Sequence, residues 1–110
     1  MKAYDVGAVA AAAVSAGNDR PAMAMVHDHD DGRLVVFRLA PGQQVATHTS
    51  GSSVFMTVVS GSGFVSGGDG ERAVGPGEFL AIAPREPHGM RAAEGELVIA
   101  AVITPRPGSR

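Results

Sequence analysis

Short apolar runs, separated by turns rich in glycine and proline, fill the chain from residue 21 to residue 104. These runs predict strands at 22–29, 34–39, 54–59, 64–66, 71–74, 78–83, 88–92 and 97–104. The turns between them carry residues that turns favour, as in Asp30-Asp31-Gly32 and the GGDG stretch at 67–70. Roughly eight or nine strands at this rhythm predict an all-β barrel or sandwich.

The first 20 residues follow a different pattern, which predicts a short helix over residues 5–16. Asp5 can cap this helix, alanines fill it, and Gly17 with Asn18 ends it. A helix this short is marginal in water by itself, so it should pack across the barrel. We therefore expect a helical extension at 1–20, a barrel at 21–104 and a flexible tail at 105–110.

Length and composition limit the functional classes. The chain has 110 residues, which fit one domain, and 45% of them are apolar with only five aromatics, so the core is aliphatic. The net charge is −2 and no basic cluster is present, which argues against a nucleic-acid partner. The absence of cysteine excludes disulfides, thiolate metal sites and a cysteine nucleophile.

The N-terminus weakly resembles a secretory signal, because Met1-Lys2 precedes an apolar run. Against this interpretation, Asp5 stands where a signal carries positive charge, and the apolar run consists mostly of alanine. No segment approaches the length of about 20 apolar residues that a membrane span requires. We therefore expect a cytoplasmic protein without a membrane partner.

Two stretches, at 41–61 and 75–90, each bring one histidine next to a turn. His48 lies between two threonines after the Pro41-Gly42 turn, and His88 follows a proline-rich turn. Two strands arranged in this way suggest a barrel with one mouth.

The spacing of these two stretches resembles the motifs of the cupin family. Five residues separate Gly42 from His48, and Gly61 closes the first motif in register. Gly77 leads to His88 at the distance of the second motif. Other motif positions differ, and the family's residues are replaced here by Ser50 (His), Val54 (Glu), Ala83 (Pro), Arg85 (Gly) and Ala92 (Asn). The resemblance implies a double-stranded β-helix, the jelly-roll barrel of cupins.

Metal-containing cupins bind a transition metal through three histidines and a glutamate, of which only His48 and His88 have counterparts here. Valine offers no donor atom, and a neutral serine hydroxyl is a poor ligand for a divalent ion. We therefore expect no tightly bound cofactor, although weak binding of a divalent metal by His48 and His88 stays open.

Alternation along the strands predicts which side chains share the interior. The cupin register would form a mostly apolar ligand pocket from His48, Ser50, Val54, Met56, Val58, His88 and Met90. Such a pocket suits a small organic molecule, but an eight-stranded barrel can also be filled by its own side chains. Both interpretations stay open, as does the role of the two histidines as a functional pair or as remnants.

Two further features have competing interpretations. His27 and His29 share one face of a strand and could chelate a metal, or they could simply lie at a wet hairpin tip. Phe55, Val59 and the run at 97–103 offer apolar surface that favours a homodimer, unless the N-terminal helix covers it.

Three functions follow from this sequence. The first is a non-catalytic, small-molecule-binding or sensory cupin with a degenerate metal site. The second is a metal-dependent cupin enzyme of the dioxygenase or isomerase type, and the third is a packed structural or interaction module. Ser50 and Val54 argue against the second.

Overall fold

The computed structural model describes residues 1–17 and 19–108, and within them the predicted all-β fold is confirmed. Its elements are one helix, α1 (Val6–Ala12), and eight strands: β1 (Val14–Ser15), β2 (Ala22–His29), β3 (Gly32–Leu39), β4 (Gln44–His48), β5 (Ser53–Gly67), β6 (Gly70–Val74), β7 (Phe79–Ile82) and β8 (His88–Thr104). All strand pairs are antiparallel. No helix in the described part of the chain is long and apolar enough to cross a membrane.

Two long strands, β5 and β8, pair along most of their length and organise the fold. Residues 97–103 of β8 lie between β3 and the first half of β5, whose other edge pairs with β7. Residues 88–91 of β8 lie between β4 and the second half of β5, whose other edge pairs with β6. The sheet therefore has two halves, which enclose one core.

The sequence predicted two turns within these strands, and both predictions are wrong. The stretches Gly61–Gly63 and Glu94-Gly95 lie within continuous strands, where the β5–β8 register shifts instead of reversing. Gly61 has φ +79°, and a Cβ atom on it would lie 1.8 Å from the carbonyl oxygen of Glu96. The glycines therefore allow a bulge and a close approach of two backbones, which bend the paired strands from one half to the other.

The main core contains side chains from both halves of the sheet. Its buried members are Leu39, Val54, Met56, Val58, Val65, Val74, Ile82, Met90, Ala92, Leu97, Ile99 and Ala101. Phe37, Val45, Leu80 and Ile103 pack against this cluster while they are partly exposed. As the composition predicted, aliphatic side chains dominate the core.

The N-terminal helix packs on the sheet as predicted, but it is shorter than the predicted 5–16. Asp5 caps it through its carboxylate, which accepts a hydrogen bond from the Ala8 N–H at 3.0 Å. The guanidinium of Arg38 on β3 donates to the carbonyls of Ala10 and Ala11 at the other end. Because the backbone becomes extended at Ala13, the helix ends before Gly17 and the next residues form β1. Asn18 itself lies outside the described residues.

A second small cluster joins the helix to the outer face of the sheet. Ala10 is buried against Val36 and Val98, with Val9 and Val59 at its margin. The helix therefore covers the Val59 end of the apolar surface that favoured a dimer.

The beginning of the predicted tail contacts the barrel. The hydroxyl of Ser52 donates to the carbonyl of Pro105 at 2.6 Å, and Arg106 forms an ion pair with Asp28 at 2.8 Å. Arg33 also pairs with Asp28. Burial alone would raise the pKa of Asp28, but its hydrogen bonds with Arg106 and Arg33 lower it.

Candidate functional site

The structure brings His48 and His88 together. His48 ends β4 and His88 begins β8, and the two residues are direct partners in the antiparallel ladder. Their ring centroids are 4.4 Å apart, with an angle of 56° between the ring planes. His88 is only 3% exposed, whereas His48 is exposed to solvent. The pair therefore has one buried member and one member that an incoming molecule can reach.

Hydrogen bonds fix both rings in the same way. Nδ1 of His88 lies 2.8 Å from the carbonyl oxygen of Glu86, and Nδ1 of His48 lies 3.0 Å from that of Ala46. A carbonyl oxygen only accepts, so both Nδ1 atoms carry the proton and donate. In the neutral rings, each Nε2 then keeps a lone pair that can accept a hydrogen bond or bind a metal.

Glu86 stabilises the loop that precedes His88. Its two carboxylate oxygens accept hydrogen bonds from the Ala83 and Gly68 N–H groups, both at 2.9 Å. These two bonds, with a smaller contribution from His88, lower the pKa of Glu86. The carboxylate thus ties the β7–β8 loop to the β5–β6 turn and holds His88 at the start of its strand.

Arg85 in the same loop explains one departure from the cupin motif. Its φ is +64°, in the left-handed region that favours glycine, and the motif has glycine at this position. The Arg85 N–H donates to the carbonyl of Ser50 at 2.6 Å, which links this loop to the one that follows β4. The backbone shape of the motif is therefore retained although its residue is not.

The two positions that would complete a cupin metal site do not supply strong ligands. Ser50 is half-buried, and its hydroxyl accepts a hydrogen bond from the Ser52 N–H at 3.1 Å. Val54 is 4% exposed and belongs to the core. Within residues 1–17 and 19–108, no three side chains of histidine, aspartate or glutamate form a group that could hold a metal ion.

The predicted floor of the pocket lies in the packed core. Met56, Val58 and Met90 are 2%, 1% and 6% exposed, and they share one cluster with Val54. Met90 also borders a small cavity of about 180 Å³ on the β4–β8 surface. That these residues contact a ligand stays a prediction.

A larger cavity, of about 440 Å³, lies at a different place in the barrel. We call it the edge cavity, because it lies where β1 and β2 of one sheet half face β4 of the other. Its lining residues are Val14, Ala16, Arg20, Pro21, Met23, Phe37, Gln44, Val45 and Ala46. The carbonyl of Ala46 is the one that His48 contacts, but neither His48 nor His88 lines the edge cavity.

The walls of the edge cavity are apolar and face inward. Phe37 and Val45 pack against the main core, and Met23 is the strand partner of Phe37. Met23 is nevertheless 49% exposed and Val14 is 77% exposed, so this interior edge is open to solvent. The sequence did not predict these residues as part of a site. Alternation along β2 and β3 would have placed Met23 and Phe37 inside, but no pattern indicated the uncovered edge.

His27 and His29 lie at the β2–β3 hairpin with their rings stacked, 4.4 Å between centroids. The hydroxyl of Tyr4 lies 3.5 Å from Nδ1 of His27. No third metal-binding side chain joins them within the described residues. The pair therefore remains an isolated feature of the hairpin.

The apolar surface on which the prediction of a homodimer rests is partly exposed to solvent. Phe55 stacks on Phe79 with ring centroids 5.9 Å apart, and Phe79 is 62% exposed. In the run at 97–103, by contrast, Leu97, Ile99 and Ala101 are buried, whereas Val102 is 43% exposed. A homodimer through the Phe55 side stays a prediction.

Comparison with known proteins identifies the class of this barrel. The family described as Cupin domain matches residues 35–104, and the chain therefore belongs to the cupin family. The double-stranded β-helix that the resemblance implied is confirmed by the solved structures of the same architecture. Among curated proteins, no sequence matches the chain.

Three solved structures illustrate the similarity. A protein from Thermus thermophilus superposes with a TM-score of 0.86 at 23% identity, over 97% of this chain and 100% of its own. A protein with a double-stranded β-helix domain from Klebsiella pneumoniae has a TM-score of 0.82 at 23% identity, over 96% and 91%. An RmlC-like cupin protein from Desulfovibrio desulfuricans has a TM-score of 0.79 at 26% identity, over 96% and 97%. These matches extend over the N-terminal helix as well as the barrel.

Proposed function

We propose that this cupin is a non-catalytic binding protein that takes a small organic molecule into the open edge of its barrel. The observation that carries the proposal is the edge cavity of about 440 Å³, with Val14, Met23, Phe37 and Val45 as its apolar walls. Protein sites for small molecules are mostly apolar and carry a few placed polar groups. The structural-module alternative predicts instead that no small molecule binds at this edge.

In this proposal the histidine pair lies beside the cavity and not in its lining, because His48 follows the lining residue Ala46 by two positions on β4. The exposed His48 presents Nε2 as an acceptor in its neutral form and as a donor when protonated. His88 is buried beside it and has its Nδ1 bonded to a main-chain carbonyl. Both rings are therefore held in position to bind a ligand. Because Ser50 and Val54 occupy the other two positions of the family's metal site, the pair lacks the anionic ligand that a divalent ion needs in a poorly solvated site.

The test measures the binding of N-phenyl-1-naphthylamine, a neutral dye that fluoresces in apolar sites, to the full-length protein. We expect saturable binding of about one dye per chain. Met23→Asp should abolish it, because a carboxylate would then stand in the apolar wall.

Met25→Asp is the matched control for this experiment. Met25 lies two residues further along β2, is 46% exposed, and is not part of the cavity lining. Although it lies on the same face of β2 as Met23, it should leave the dye affinity within about twofold of the wild type, because its side chain does not line the cavity. Equal loss in both variants, or no saturable binding by the wild type, would contradict the proposal.

The second candidate is metal-dependent catalysis at His48 and His88, and the two unprotonated Nε2 atoms favour it. Its test is elemental analysis of protein made without a histidine tag and dialysed against a mild chelator. We expect far less than one equivalent of Fe, Mn, Ni, Cu or Zn, because two imidazoles leave an ion largely bound by water. A double variant, Ser50→His with Val54→Glu, restores the family's donor set and should retain more metal. Near one equivalent in the wild type would make the enzyme the better interpretation.

A further inference from the structure

The polar groups of the edge cavity define the chemistry of its ligand. Two residues of the lining carry polar side chains that can reach a bound molecule, Arg20 and Gln44, and the other seven lining residues are apolar. Among the residues that the structure describes, none accepts a hydrogen bond from the Arg20 guanidinium or forms an ion pair with it. Five of the other described arginines, at 33, 38, 72, 91 and 106, form ion pairs with carboxylates. Arg20 therefore offers an uncompensated positive charge at the rim of an apolar cavity.

The backbone around Arg20 is held in place. Its carbonyl accepts hydrogen bonds from the Ser15 hydroxyl at 2.5 Å and from the Gln43 side-chain amide at 3.2 Å. Its N–H donates to the carbonyl of Gly17 at 3.1 Å. Gln43 in turn accepts from the Ala40 N–H, so this network joins the loop before β2 to the loop before β4. These bonds hold in place the backbone from which the side chain of Arg20 extends.

We infer that the edge cavity binds an amphipathic monocarboxylate, with its hydrocarbon chain against Met23, Phe37 and Val45 and its carboxylate at Arg20. A guanidinium presents parallel N–H donors that match the two oxygens of a carboxylate. The Gln44 amide lies at the same rim and can donate to one of these oxygens. This inference rests on the proposed function, because it names the ligand class of the same cavity.

The experiment compares octanoate with octan-1-ol as displacers of N-phenyl-1-naphthylamine from the full-length protein at pH 7. The two probes share a chain length, so a difference in affinity reports the carboxylate. We expect octanoate to bind more tightly. Arg20→Gln should lower the affinity for octanoate about three- to fivefold, the size expected for a solvent-accessible charge pair. It should change the affinity for octan-1-ol less. Arg20→Lys should retain most of the preference, because it keeps the charge.

Two controls separate a specific contact from general electrostatics. Arg85→Gln removes an exposed arginine that is not part of the cavity lining, so it should leave the affinity for octanoate unchanged. Raising the salt concentration from about 0.1 M to about 1 M should lower the affinity for octanoate and not the affinity for octan-1-ol, because screening acts on the charge alone.

The possible outcomes distinguish this inference from the proposed function. If the dye binds and Met23→Asp abolishes it, but octanoate has no advantage over octan-1-ol, the inference is wrong and the proposed function stands. Equal weakening of octanoate by Arg20→Gln and Arg85→Gln would also overturn the inference. If no apolar probe binds to the wild type, the proposed function fails and the inference fails with it.

Discussion

The barrel interior has a closed side around Met56 and an open side at the edge cavity, around Met23. Both sides contain apolar residues, but only those of the closed side are fully buried. On the closed side, Met56 is 2% exposed between two neighbouring strands, β7 and β8. On the open side, Met23 also lies between two strands, β1 and β3, but it is 49% exposed. Neither the residue type nor the number of neighbouring strands therefore decides which part of a barrel is packed; what covers the face of the strand does, and β1 is only two residues long.

The open side exists because two strands there have a free edge. Within the described residues, β1 is only two residues long and pairs with β2 alone, and β4 pairs with β8 alone. In the part of the chain that the structure describes, no ladder joins β1 to β4, so the two sheet halves part at this edge. The residues that resemble the cupin motif lie at β4, β5 and β8, whereas the edge cavity extends towards β1 and β2. A degenerate motif and a usable cavity can therefore occur in one barrel.

The largest effect should come from Gly61→Ala, which would disturb the point where β5 and β8 bend from one half to the other. The new Cβ would lie 1.8 Å from the Glu96 carbonyl, in a left-handed backbone conformation. We expect the free energy of unfolding to fall by at least about 3 kcal/mol, measured by urea denaturation with circular dichroism. In the control, Gly75→Ala, the new atom meets nothing within 4 Å. Similar denaturation midpoints for the two variants would contradict this account.

A pair of methionine truncations compares the two sides directly. Met56→Ala should lower the free energy of unfolding by about 2–5 kcal/mol, because it leaves a cavity in the closed core. Met23→Ala should cost less than about 1 kcal/mol, because half of that side chain is already in water. Urea denaturation of both variants measures the difference. Equal losses would mean that the open edge is covered in solution, as a dimer through β1 or β4 would do.

The smallest effect concerns how the two sides respond to acid. The loop before His88 is held by the carboxylate of Glu86, whereas the loop of Arg20 is held by the neutral side chains of Ser15 and Gln43. The folded protein lowers the pKa of Glu86 below its ordinary value of 4.5. Its contribution to stability is therefore full above that value, and it is lost as the pH falls through the folded pKa.

Glu86→Gln should accordingly be less stable than the wild type at pH 7, and this difference should shrink as the pH falls below about 4.5. Urea denaturation at several pH values measures it. Glu94→Gln is the control, since Glu94 is exposed and makes no hydrogen bond within the described residues. A difference that stays constant down to about pH 3 would show that the carboxylate charge does not act through these hydrogen bonds.

Predictions from sequence succeeded where a local pattern has one structural solution. The alternation of Val54, Met56 and Val58 placed these residues in the barrel interior, where they are buried in the core. The cupin resemblance brought His48 and His88 to one place, and their rings are neighbours. Predictions failed where distant backbone decides. Gly61–Gly63 has the composition of a turn, but the chain continues as a strand because β8 accompanies it through the bend. The hydrophobic pattern likewise did not predict β4, because most of its residues are exposed and only some are apolar. Its pairing with β8 makes this segment a strand.

The sequence by itself determined the all-β architecture, the aliphatic core, the capped N-terminal helix and the loss of the cupin glutamate at Val54. These properties depend on residue types and on spacings along one strand or turn. Only the tertiary structure decided that β1 and β4 leave an open edge, that Arg20 has no described carboxylate partner, and that Met23 faces a cavity while Met56 is enclosed. The physical reason is that exposure depends on how far the neighbouring and facing strands extend over a residue, and this is set by long-range pairing between residues far apart in the chain.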